Sequence, residues 1–166
     1  PIFLIAGLGL LIEACQNINP KNDPGLNASV KSFDADISIQ WYNLFLEVDR
    51  FSPGYRPPAA ARMLGYVGLA AYEAVVPGMP EFKSLAPIYS DLHVPPLEND
   101  KVYHWPAVLN AVYYHLFTKF YPNVDQVYID KMVALENRFK SIYSLKIPDD
   151  VMKRSTDRGI QVAEAF

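Results

Sequence analysis

The sequence predicts an all-α protein, and three observations predict it. Apolar residues recur at helical spacing from about residue 34 to the last residue, prolines stand where these runs start or stop, and no stretch alternates apolar and polar residues as a half-buried strand does. About five main helices account for this region and build a helical bundle around one core, which 130 or so residues suffice to form.

The first helix is expected from about Asp34 to Phe51, where Ile37, Trp41, Leu44, Phe45 and Val48 share one face and Ser52-Pro53-Gly54 ends the run. Pro57-Pro58 opens the second, because a proline in the first turn gives up an N–H that has no helical partner. This helix runs to about Val76, ahead of Pro77-Gly78. Its Ala61, Gly65, Gly68 and Tyr72 make a stripe of small residues closed by an aromatic. Glycine costs roughly 1 kcal/mol against alanine inside a helix, so two on one helix predict a backbone passing close by and place this helix at the centre of the bundle.

A proline-rich passage, Pro77 to Pro96, holds one short helix at most. Trp105-Pro106 then starts a third helix to Phe120, buried through Leu109, Val112, Leu116 and Phe120 and stopped by Pro122. Asn123 with Gln126 three residues on reads as a cap with a reciprocal partner opening a fourth helix to about Leu145. Tyr128, Met132, Leu135, Phe139 and Ile142 line it. A fifth begins at Pro148, puts Asp149 and Asp150 in its first turn, where acid suits the helix dipole, and carries Met152, Ser155, Gly159, Val162 and Phe166 on one face.

Ahead of the bundle, residues 1–15 read as a signal segment. Ile2 to Ile12 is almost wholly apolar but too short to span a bilayer, and Cys15 stands where a bacterial lipoprotein signal places its lipid-modified cysteine, after Ile12-Glu13-Ala14. Residues 16–33, polar and broken by prolines and a glycine, read as a tether, leaving 34–166 as the folded helical part. The expectation is an exported, periplasmic or outer-membrane lipoprotein held to the membrane by its lipid. A single cysteine rules out an internal disulfide framework, so core packing must stabilise the fold. A net charge of −3 without a Lys/Arg cluster gives no footprint for nucleic acid. Pro1 in place of a methionine, and an ending at Phe166 inside an apolar helical pattern, predict that the segment is the front of a larger protein.

Catalytic machinery is not legible. His93, His104 and His115 have no metal-pair spacing, and neither a G-x-S-x-G elbow nor a glycine-rich phosphate loop occurs. Asp34, Asp36, Glu47 and Asp49 fall mainly on the solvent side of the first helix. Arg62 and Glu73 are more informative, since three helical turns, roughly 16 Å, separate them on one face and each needs a separate partner. They either clamp neighbouring helices or line a cleft completed by absent residues, and His104-Trp105 either packs at the start of its helix or borders a pocket.

The segment Trp41 to Leu85, with SPGYRPPAAARMLGYVGLAAYEAVVPGMPEFKSL, together with YHWPAVLNAVYYHLF at 103–117 and the Ser155, Gly159, Val162, Ala163, Phe166 pattern, resembles the N-terminal helical half of vanadium-dependent haloperoxidases. More narrowly it resembles their bacterial lipoprotein members related to type 2 phosphatidic acid phosphatases. The resemblance implies an all-helical protein whose C-terminal half binds phosphate or vanadate in a ring of Lys, Arg and His, marked by Lys-x6-Arg-Pro, Pro-Ser-Gly-His and a closing Ser-Arg segment. None of these motifs occurs here: the one Arg-Pro is Arg56-Pro57, with Asp49 where the lysine belongs, and Ser52-Pro53-Gly54 lacks the histidine. No catalytic residue is therefore carried over, vanadate or no cofactor at all is expected only in the C-terminal half, and that half is the expected partner. The alternative is a non-catalytic surface lipoprotein that binds a glycan or protein through an exposed platform of Tyr103, Trp105, Tyr113 and Tyr114.

Overall fold

The computed structural model describes residue 25 and residues 28–54 and 57–166. Among the described residues the protein is all-helical: five helices, α1 (Asp36–Phe51), α2 (Pro57–Val75), α3 (Trp105–Phe120), α4 (Gln126–Ser144) and α5 (Asp149–Glu164), with short 3-10 turns and no strand. The signal segment and Cys15 lie outside the described residues. The end of the expected tether is described, and it packs on the body. Val30 and Phe33 rest against the core, Ser29 Oγ donates to the Gly78 carbonyl at 3.4 Å, and Lys31 pairs with Glu81.

α3 is the central helix and touches all four others, most extensively α5. Its sequence suits that position, because it is apolar nearly all round and a helix of that kind is stable only when surrounded. Trp41 of α1 is fully buried against it, stacked on Phe117 with ring centroids 5.8 Å apart, and Phe45 stacks on the same ring at 5.9 Å. Such pairs are worth about 0.5–1.5 kcal/mol beyond the area they bury.

One asparagine ties three helices together. Asn110 of α3 accepts from Trp41 Nε1 at 2.9 Å and donates through Nδ2 to the Glu136 carbonyl of α4 at 3.0 Å. Nearby, Tyr113 donates to Ser38 Oγ at 3.0 Å; burial pushes its hydroxyl up to about 12 against the opposing pull of that hydrogen bond.

Two expectations are corrected here. The small-residue stripe of α2 does not mark a close crossing: a Cβ on Gly65 would meet nothing within 4 Å, and one on Gly68 only the Tyr42 hydroxyl at 3.8 Å. Close approach occurs instead at Gly159 of α5, where a Cβ would collide with the Val108 carbonyl oxygen and lie 2.6 Å from Ala111 Cβ. The reason is placement: α3 runs through the middle and α5 lies against its backbone, whereas α2 flanks it and shows one side to solvent. The second correction concerns the start of α4. The cap is Asp125 rather than Asn123, its carbonyl accepting from the Tyr128 and Ile129 N–H groups, and Gln126 bonds forward to Asp130 Oδ1 at 2.9 Å instead of back to a cap.

Between α2 and α3 the chain runs irregularly, with two 3-10 turns at Val76–Gly78 and Ala86–Ile88. A connection this long inside a compact domain needs anchors of its own. Tyr72 donates to the Lys83 carbonyl at 2.7 Å, the Tyr103 hydroxyl accepts from Glu98 N at 3.1 Å, and Arg154 donates to the Val102 carbonyl at 3.0 Å.

Candidate functional site

The deepest anchors of that connection are two buried charges. Glu73, near the end of α2, is 2% exposed, and both of its oxygens are engaged: Oε2 accepts from Ser84 Oγ at 2.7 Å and Oε1 from the Leu85 N–H at 2.6 Å. Arg158 of α5 is 3% exposed and donates through Nη1 to the Pro95 carbonyl. Burial pulls the guanidinium below its ordinary pKa, while Tyr103 and Glu73 favour its charged form. Together they line a cleft of about 830 Å³ between the irregular connection and α5, walled by Pro77, Tyr89, His93 and Pro95 among others. That volume lies within the range of small-molecule sites.

Of the four residues singled out as cleft-lining from the sequence, only Glu73 lines this cleft. Arg62 is exposed, on the outer side of α2, and needs no buried partner because water solvates it. His104 and Trp105 are packed at the start of α3. His104 is 1% exposed; its Nδ1 accepts from the Ala107 N–H at 3.3 Å, its backbone N–H donates to Ser155 Oγ at 2.9 Å, and its ring meets those of Phe33 and Tyr143. Trp105 stacks on Tyr103 at 6.0 Å and lies against Gly78. Both therefore take the role of packing at the helix start.

Arg158 was not anticipated. A signal for it exists, since it sits between Ser155 and Val162 beside Gly159 and is the one charged residue among those that α5 buries.

A second surface runs along the outer side of α2. Arg62 lies in a shallow groove with Pro58, Ala59, Met63, Tyr66 and Phe120. Tyr66 also borders the next groove, with Leu69, Ile88, Tyr89 and Phe166, so the two are continuous. Tyr66 stacks on Phe120 at 6.3 Å yet stays 40% exposed, and Ile88 is 73% exposed. The four rings expected to form a surface platform are elsewhere: Tyr103, Trp105 and Tyr113 are buried, and Tyr114 packs against the core.

Among the described residues no group of three or more His, Cys, Asp and Glu side chains is placed to hold a metal ion, and no helix is long and apolar enough to cross a membrane. No family model, no curated protein and no solved structure matches the chain.

Proposed function

We propose that this chain is the helical N-terminal portion of an exported enzyme of the vanadium-dependent haloperoxidase and type 2 phosphatidic acid phosphatase group, and that it acts as the scaffold on which the oxyanion-binding half is seated. The observation that carries this reading is the uncovered strip along α2, lined mainly by apolar and aromatic side chains such as Met63, Tyr66, Leu69, Ile88 and Phe166, with Arg62 and Asp91 at its edges, and bare at Gly65. A helix with two glycines and an outward tyrosine gives up stability that a partner laid against it returns.

Phosphoryl transfer and vanadate binding both need a cradle of several cations around one oxyanion. In this reading the cradle belongs to the other half, and none of the residues described above takes part in the chemistry. The lipid anchor, attached through Cys15, keeps the assembly at the membrane surface.

The test compares this segment with a product extended to the next stop codon of the gene, assayed for hydrolysis of p-nitrophenyl phosphate and for vanadate-dependent bromination. The extended product is expected to be active in one assay and the segment in neither. Tyr66→Glu is expected to cost the segment about 1 kcal/mol through loss of the Phe120 stack, and to lower the melting temperature of the extended product by several degrees more than that of the segment. A stop codon directly after Phe166, or an extended product no more sensitive to Tyr66→Glu than the segment, overturns the proposal.

A further inference from the structure

The cleft between the irregular connection and α5 has an imbalance that the parent-enzyme reading does not use. Its two charged groups are both buried, yet only one is satisfied. Glu73 spends both oxygens on Ser84 and Leu85. Arg158 spends Nη1 on Pro95, but its Nε meets no acceptor among the described residues and is sealed from water.

A buried guanidinium with unspent donors carries a desolvation cost that an anion on its free edge offsets. Since Nη1 is taken, the free edge is the one that includes Nε, which a planar carboxylate fits with two parallel hydrogen bonds. Glu73 lines the same cleft and offsets the charge of Arg158, so a second negative charge on the ligand, which the single guanidinium edge cannot also pair, gains no net attraction and a dianion such as phosphate is disfavoured. The rest of the wall is mostly proline and aliphatic side chains, with Tyr89 and a few polar groups such as His93 and Asn99, which favours an apolar body on the ligand.

We propose that this cleft binds a small monoanionic carboxylate carried on an apolar body, paired with the Nε edge of Arg158. The proposal does not rest on the parent-enzyme reading. Because Nε lies beneath the surface, the ligand enters by displacing the stretch around Pro95, whose carbonyl now holds the other end of the guanidinium. Val94 and Leu97, on either side of Pro95-Pro96, report that displacement through their amides.

The experiment is an NMR titration of the whole chain with phenylacetate, following the Arg158 Nε–H signal and the Val94 and Leu97 amides, with inorganic phosphate and benzyl alcohol as the charge and body controls. Phenylacetate is expected to move all three signals along one saturating curve, with neither control doing so. Arg158→Lys keeps the charge but loses the fork, and is expected to weaken binding roughly tenfold. Glu73→Gln is expected to admit phosphate as a competitor. The absence of a saturable shift at Arg158 in the unmodified chain, or an equal response to phosphate, overturns the assignment; Glu73→Gln that admits no phosphate overturns the charge selection.

Discussion

The contact of α5 with α3 and the outer side of α2 carry the same sequence signal with opposite outcomes. Each presents a glycine about one helical turn from other small residues, Ser155 and Ala163 around Gly159 and Ala61 and Gly68 around Gly65. At Gly159 the missing Cβ lets the α3 backbone come within a distance no side chain tolerates, while at Gly65 the same omission faces open space. A helical glycine thus shows where a close neighbour can be accepted, and only packing decides whether one is there.

Three substitutions break or sharpen that contrast. The largest effect is expected from Asn110→Ala on the packed side, which strands Trp41 Nε1 inside the core and leaves a small void; urea unfolding should show a loss of about 3 kcal/mol. Retention of full stability would mean that α1 is held by its rings alone. Gly159→Ala is expected to lose about 2 kcal/mol, because the clash with Val108 outweighs the gain in helix propensity. Gly65→Ala is expected to move the other way, with a gain of up to about 1 kcal/mol in the segment, since nothing stands in the path of the new methyl group. If both alanines stabilise, the close crossing of α3 and α5 is wrong; if both destabilise, α2 has a neighbour in solution.

Much of the fold was legible. The faces of α1 and α5 were read correctly from their periodicity, because Ile37, Trp41, Phe45 and Val48, and likewise Ser155, Gly159 and Val162, are buried on one side only. Periodicity could not rank the helices by depth. α3 is apolar on every side and so shows a weak pattern, and α2, with its glycines, resembled a central helix more than α3 did. The cap of α4 was displaced by two residues because Asn123 and Asp125 are both good capping types, and the choice rests on where the chain leaves α3.

The candidate site was half legible. Glu73 stood out as an acid in an apolar run, whereas its partners Ser84 and Leu85 lie in an irregular stretch that follows no period. Arg158 was hidden by ordinary surroundings, since Lys153, Arg154 and Asp157 precede it in a polar turn. Arg62 and His104 drew notice for their residue type, and the structure gives one to solvent and the other to a helix cap.

The bond from Trp41 to Asn110 joins residues 69 positions apart, and α3 gains its main neighbour only when α5 is present. During synthesis, therefore, the first two helices leave the ribosome with their apolar faces bare and must wait for a helix that itself waits for the end of the segment. At about 5–20 residues per second the delay from Trp41 to Gly159 is on the order of ten seconds. For that interval the apolar faces of α1 and α2 have no settled cover, and the asparagine that locks α1 in place can act only once the helix carrying it is itself held by α5.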